Sequence, residues 1–237
     1  MSRWRPEERW LRLAVGTGGE ASAPRWQAAL AQFEAWLEDA PPLGRLSVLI
    51  PSEFVRYLVV PWQPQLQRAD DHAAFVNHCF EQIHGAAATA WSCRAADPLY
   101  GKPALACAVD SAMLAQLSEA ATARGRRMAH LQPALVQAWN ASRAELPAGR
   151  LWFALVEDGW ATLMRVDDGS PCHLRSQRCT ASALPHWLER ETRASGLEGT
   201  DAPLYVAGAP AGFAPIGATF LPYAAPEAAR AAARQPD

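Results

Sequence analysis

Three clusters in this sequence carry residue types capable of chemistry. The first is Gly16-Thr17-Gly18-Gly19-Glu20-Ala21, which follows an apolar run and fits a loose GxGxxA pattern. That pattern holds a dinucleotide pyrophosphate only when its glycines open a helix directly, so that the first N–H groups meet the phosphates. Here Ser22, Ala23 and Pro24 intervene, and a flexible loop explains the same letters. The second cluster is His72, His78 and His84, beside Cys79. Steps of six turn a helical side chain by roughly 240°, so the three imidazoles point three ways and cannot share a metal. The third is Cys172, His173 and Cys179, three donors near one hairpin, but their spacing fits no structural zinc pattern and a fourth ligand is missing. Gly101-Lys102 is followed by Pro103, which has no hydroxyl for a metal ion, and no GxSxG marks a nucleophile. The carboxylate pairs Asp70-Asp71, Glu157-Asp158 and Asp167-Asp168 suit helix caps and turns.

More informative is Val156-Glu157-Asp158-Gly159-Trp160-Ala161-Thr162. In nucleotide-binding lobes of the actin class, the turn between the first two strands carries an Asp, a Gly and small residues that leave room for phosphate and its metal. Gly159 keeps the turn, but Glu157 stands where Asp is usual and Trp160 where a small residue is usual. An indole there would fill the phosphate space. A hairpin with a Trp packed on its sheet and a relic of nucleotide binding both fit, and both predict no hydrolysis.

The elements that must position these residues follow from composition and period. The chain has 237 residues, half of them apolar, and no apolar run long enough for a membrane-spanning helix, so it is expected to fold in water around a sizeable core. Twenty-two Lys and Arg against twenty-four Asp and Glu give a charge of -2, which supplies no field for nucleic acid or an acidic bilayer. Five cysteines without a CxxC, and a start lacking the apolar core of a secretory signal, suit a reducing cytoplasm. Ten tryptophans suggest a surface meant to be covered.

Residues 10–16 read as a strand, and Trp26, Leu30, Phe33 and Leu37 share one face of a helix that Pro41 and Pro42 stop. RLSVLI, 45–50, and FVRYLVV, 54–60, read as two successive buried strands between prolines. Asp70 or Asp71 can cap a helix with Val76, Cys79, Phe80 and Ile83 on one face, ended by Gly85. Strands near 89–95 and at 104–109 lead to a helix begun by Asp110, with Met113, Leu114, Leu117 and Ala121 inward. A short strand around 127–131 runs to Pro133, a good first residue for a helix bearing Leu135, Ala138 and Trp139. AELPAGR, 144–150, has the chemistry of a linker. Beyond it, three alternating runs separated by Asp158-Gly159 and Asp167-Asp168-Gly169 predict a three-stranded meander. A helix over 182–194 with Leu184, Trp187 and Leu188 on its face and a strand at 203–208 follow.

The chain resembles the PilM and GspL family, the actin-like assembly proteins of type IV pili and type II secretion systems. The likeness rests on RLSVLIPSEFVRYLVVPW, on the acid-capped helix ending FEQIHG, and on LACAVDSAMLAQLSEAATARG and LQPALVQAWN. It implies an α/β, actin-like (ribonuclease H-like) two-lobed fold. The expected division is a first lobe over 1–146, truncated at its N-terminus, a second over 147–225, and a flexible tail over 226–237. A complete first lobe opens with an Asp-x-Gly-Thr phosphate loop, whereas Ala14-Val15-Gly16-Thr17 lacks the carboxylate. Gly208 stands where adenosine-side glycines would sit, but Ala209 and Pro210 replace a glycine run.

The resemblance therefore implies a scaffold without enzymatic activity or cofactor, cytoplasmic and recruited to the inner membrane. Its partners would be the cytoplasmic tail of a PilN-like inner-membrane protein and an assembly ATPase. Phe54, Arg56 and Tyr57 are candidates for holding that tail, because Arg56 interrupts a buried run and should mark where its strand reaches solvent. An arginine on an ordinary exposed strand face fits as well. Two other functions stay open: an ATPase or phosphotransferase of the same fold with unorthodox loops, and a small-ligand α/β module using the GTGG stretch.

Overall fold

A computed structural model describes residues 8–13, 24–39, 45–66, 68–179, 181–194, 202–208, 218–221 and 223. In chain order its first elements are β1 (Glu8–Arg12), α1 (Trp26–Asp39), β2 (Arg45–Ile50), β3 (Arg56–Val60) and α2 (Ala69–His84). Next come β4 (Trp91–Ala95), β5 (Ala104–Asp110), α3 (Ser111–Ala123), β6 (Arg127–Pro133) and α4 (Ala134–Ser142). The remainder is β7 (Arg150–Glu157), β8 (Trp160–Asp167), β9 (Ser170–Arg178), α5 (Leu184–Ala194), β10 (Leu204–Ala207) and β11 (Ala218–Phe220).

These strands form three sheets. β1, β2 and β6 make a parallel sheet in that order, and β3, β5 and β4 a small antiparallel one. The third has the order β11-β10-β7-β8-β9. Its β7-β8-β9 portion is the meander that the two turn signals predict, with Gly159 and Gly169 at φ +71° and +76°. β10 then pairs parallel to β7 after the α5 crossover, and β11 parallel to β10. A meander extended by parallel strands on the side of its first strand is the ribonuclease H-like arrangement, and the fold is actin-like.

Helix faces follow the apolar period. Trp26, Ala29, Phe33 and Leu37 of α1 are buried, as are Met113, Leu117, Ala120 and Ala121 of α3. Asp110 fixes where α3 begins: its Oδ1 accepts from the N–H groups of Ala112 and Met113 at 2.8 and 3.4 Å. Its Oδ2 accepts from the Trp26 indole at 3.2 Å, so one carboxylate caps α3 and holds α1 against it.

The main core runs unbroken across residues 144–150. Leu135 and Ala138 of α4 share a cluster with Leu151, Phe153 and Leu155 of β7. A second cluster lies under α5, where Leu184 and Trp187 cover Trp152, Ala154 and Val156. β7 is thus buried on both faces, which accounts for its almost continuous apolar run.

Several expectations are corrected. Of residues 10–16, strand geometry ends at Arg12, and 14–16 lie outside the described residues. Ser52–Phe54 is a 3-10 turn, so the strand predicted over 54–60 begins at Arg56. β2 and β3 do not pair: each finds its partners in a different sheet. Arg68, not Asp70 or Asp71, occupies the N-cap of α2, and the two acids stand in its first turn, where the helix dipole favours them. Ile83 is 62% exposed rather than packed inward. Pro133 closes β6 and takes the cap position before α4 instead of opening the helix. Leu30 and Leu114 are only partly buried against the core.

Candidate functional site

Strand alternation decides where the β7–β8 turn places its acid. Leu151, Phe153 and Leu155 point into the main core, and Glu157 continues the same face. Its carboxylate meets the turn after β2: the Ser52 N–H donates to Oε2 at 2.9 Å. Oε1 is sealed from solvent and has no hydrogen-bond partner among the described residues. Burial pushes the Glu157 carboxyl above its ordinary value, opposed by the Ser52 hydrogen bonds and by Arg12.

Other strands supply the rest of this polar knot. From β1, Arg12 Nη2 donates to Asp158 Oδ2 at 3.2 Å, while Arg12 Nε is buried and unpartnered. Tyr57, on β3, turns inward with its hydroxyl 3.5 Å from Ser52 Oγ, and burial lifts that phenol well above its ordinary value. The Tyr223 hydroxyl is also buried without a partner among the described residues, and burial together with Glu157 pushes it up to about 12. Beside the knot, Glu53 is buried and receives Arg178 at 2.9 Å and Arg25 at 3.5 Å. The β7–β8 turn and the turn after β2 thus carry two inward carboxylates bonded to their own chain.

At Gly159 a Cβ would meet nothing within 4 Å, so the φ of +71° is what demands glycine at this turn. Gly208 is different. At φ +76°, an added Cβ would stand 2.5 Å from the Val156 carbonyl oxygen. Gly208→Ala is therefore expected to lower stability by about 2–3 kcal/mol, combining backbone strain with a clash that cannot relax by side-chain rotation. Urea denaturation checks this, and an unchanged midpoint would refute it.

Trp160 opens β8, its indole donating to Ser176 Oγ of β9 at 2.7 Å. Thr162 Oγ1 meets the same hydroxyl at 2.7 Å. The ring borders a groove of about 480 Å³ between β3 and β9. Of the three residues proposed for partner binding, Phe54 is partly buried against the main core and Arg56 is exposed beside this groove. Tyr57 is 8% exposed, packed against the main core, and also lines this groove.

The metal candidates are not brought together. His84 stacks with Phe80 and meets the Trp91 edge, His173 Nε2 lies 3.0 Å from Glu191 Oε2, Cys172 is exposed, and Cys179 is buried in the α5 cluster. Among the described residues no group of three His, Cys, Asp or Glu side chains could hold a metal ion. The GTGG stretch and Ala209-Pro210 lie outside the described residues. Sequence reasoning missed Arg12, Ser52 and Glu53, which meet the β7–β8 turn and β9 from more than a hundred residues away.

No family model matches the chain, and no curated protein matches it in sequence. Solved structures do resemble it. The cytoplasmic domain of EpsL, an inner-membrane component of the type II secretion system of Vibrio cholerae, superposes with a TM-score of 0.58 at 13% identity, covering 92% of this chain and 90% of that one. The PilM-PilN type IV pilus biogenesis complex gives 0.58 at 14% identity over 76% of this chain and 68% of that one. A Bacteroides thetaiotaomicron protein with an actin-like ATPase fold and unknown function gives 0.56 at 11% identity, over 86% and 83%. These likenesses establish the actin-like fold and agree with the resemblance carried by residues 45–62.

Proposed function

We propose that this chain is a non-catalytic scaffold of a type II secretion-like or type IV pilus-like assembly. It works in the cytoplasm, recruited to the inner membrane by the cytoplasmic tail of a PilN-like partner, and it meets an assembly ATPase there. The observation that carries this reading is the Glu157 carboxylate bonded to the Ser52 N–H at the β7–β8 turn. Glu157 is an internal anion on the donor that a phosphate would need, and a triphosphate entering there would also face Glu53. Among the described residues no helix is long and apolar enough to cross a membrane. The resemblance to EpsL and to PilM bound with PilN supports recruitment through a membrane partner.

Two titrations test the reading. With magnesium and ATP, calorimetry is expected to show no saturable heat, and a dissociation constant tighter than about 100 μM would favour an ATPase of the same fold instead. Peptides copied from the cytoplasmic tails of membrane proteins encoded beside this chain are expected to bind. Failure of every tail at high micromolar concentration would remove the scaffold reading's main support.

A further inference from the structure

α4 turns one side toward the small antiparallel sheet. Val136, Trp139, Asn140 and Arg143 stand at i, i+3, i+4 and i+7, which places them on one helical face, and all four line a cavity of about 530 Å³. Arg143 follows the last helical residue in αR backbone, so the spacing holds to the end. The opposite wall is the face of the sheet turned away from α2. Register sets Arg94 of β4 across from Cys107 of β5, while the neighbouring Cys93 packs with Val76 and Phe80 of α2. Leu105 shares the Cys107 face by alternation, and Arg94, Leu105 and Cys107 line the same cavity. Met164 of β8 and Ser170 and Pro171 of β9 complete it from the third sheet. Lys102 Nζ donates to the Asp168 carbonyl oxygen at 3.1 Å, which ties the β4–β5 loop to the β8–β9 turn and holds the walls together.

The lining divides by chemistry. Leu105, Cys107, Val136, Trp139 and Met164 make apolar walls, and burial pushes the Cys107 thiol up to about 11. Arg94 and Arg143 are exposed and reach the cavity from opposite walls. Neither forms an ion pair among the described residues: Arg94 donates to the Cys93 carbonyl at 3.1 Å, and the Arg143 side chain makes no hydrogen bond there. Asp97 is the one carboxylate in the lining, and it also borders a second cavity beside α2. Two unpaired guanidiniums thus share a single acid. A cavity of this size suits a small molecule, and each guanidinium offers donors in the planar fork that a carboxylate accepts.

We propose that this cavity binds a small amphipathic anion, with its carboxylate between Arg94 and Arg143 and its apolar body against Leu105, Val136 and Met164. The site goes beyond the recruitment reading and does not depend on it.

The test titrates decanoate into the full chain, with decyltrimethylammonium to reverse the charge and acetate to remove the apolar body. Calorimetry is expected to give decanoate a dissociation constant near or below about 100 μM and each of the other two at least about tenfold weaker binding. Arg94→Gln and Arg143→Gln, both on exposed side chains, should each weaken decanoate by about fivefold or more, and added salt should weaken it in wild type. The chain has four methionines, so methyl-labelled methionine gives a short NMR spectrum in which Met164→Leu assigns the Met164 signal. Decanoate is expected to shift that signal and to leave Met113, which does not line the cavity, in place. Equal affinity for the anion and the cation, no binding of decanoate at about 1 mM, full affinity in both arginine variants, or shifts that spare Met164 would each overturn the proposal. The tail and ATP titrations bear on recruitment alone, so either reading can fail without the other.

Discussion

Phe153→Ala is expected to remove about 4 kcal/mol of stability. Phe153 is 0% exposed, and its ring meets the Trp139 ring edge-on, with centroids 5.3 Å apart at 85°. Two losses combine in the variant: the transfer free energy of a benzyl group, and the contacts of a cavity whose walls belong to rigid elements on both sides of the 144–150 segment. α4 cannot move inward without dragging β6, and β7 cannot move without breaking register with β8 and β10. Collapse around the gap is therefore limited. Domains of this kind are stable by about 5–15 kcal/mol in all, so the variant should unfold at a much lower urea concentration with an unchanged slope. Phe153→Leu, which retains most of the volume, should lose only about 1–1.5 kcal/mol. Similar midpoints for the two variants would mean that the site repacks and that this ring is not what joins α4 to the sheet.

The same residues show what the sequence makes legible. Trp26, Phe33 and Leu37 announce α1, and Met113 and Leu117 announce α3, because a helix buries residues through a local period. The meander was equally legible, since its turns need residues that tolerate positive φ, and Gly159, Asp168 and Gly169 supply them. Which sheet a strand joins is a different matter. RLSVLI and RYLVV are both dense apolar runs, and nothing within either run says that one lies between parallel neighbours and the other at the edge of a small antiparallel sheet. Arg56 was readable as a surface point because a charge breaks the run. Alternation sends the adjacent Tyr57 to the opposite face, where it is buried. At the site, Glu157, Gly159 and Trp160 could be picked out from turn chemistry alone. That Glu157 would hold the Ser52 N–H could not, because 105 residues separate them and the packing of the 52–54 turn against the third sheet brings them together.

Glu157 also separates the contribution of a hydrogen bond from that of a buried charge. Glu157→Ala should leave the Ser52 N–H without its acceptor and Arg12 with Asp158 as its remaining anion, at a loss of about 2–3 kcal/mol. Glu157→Gln keeps the length and an acceptor oxygen but removes the charge, and at neutral pH it should match wild type within about 1 kcal/mol or exceed it. The pH dependence fixes the sign. In the folded chain this carboxyl titrates above its ordinary value of 4.5, chiefly because burial disfavours the anion. The folded state thus binds the proton more tightly than the unfolded state, and the resulting stability is fully present below 4.5 and lost as pH rises through the folded value. Subtracting the two stability curves cancels the other acids. The difference should be small below pH 4.5, then shift in favour of Glu157→Gln as pH rises, and level off once Glu157 is ionised in both states. A difference that moves the other way would mean that Arg12 outweighs burial, making the turn an ion-pair site.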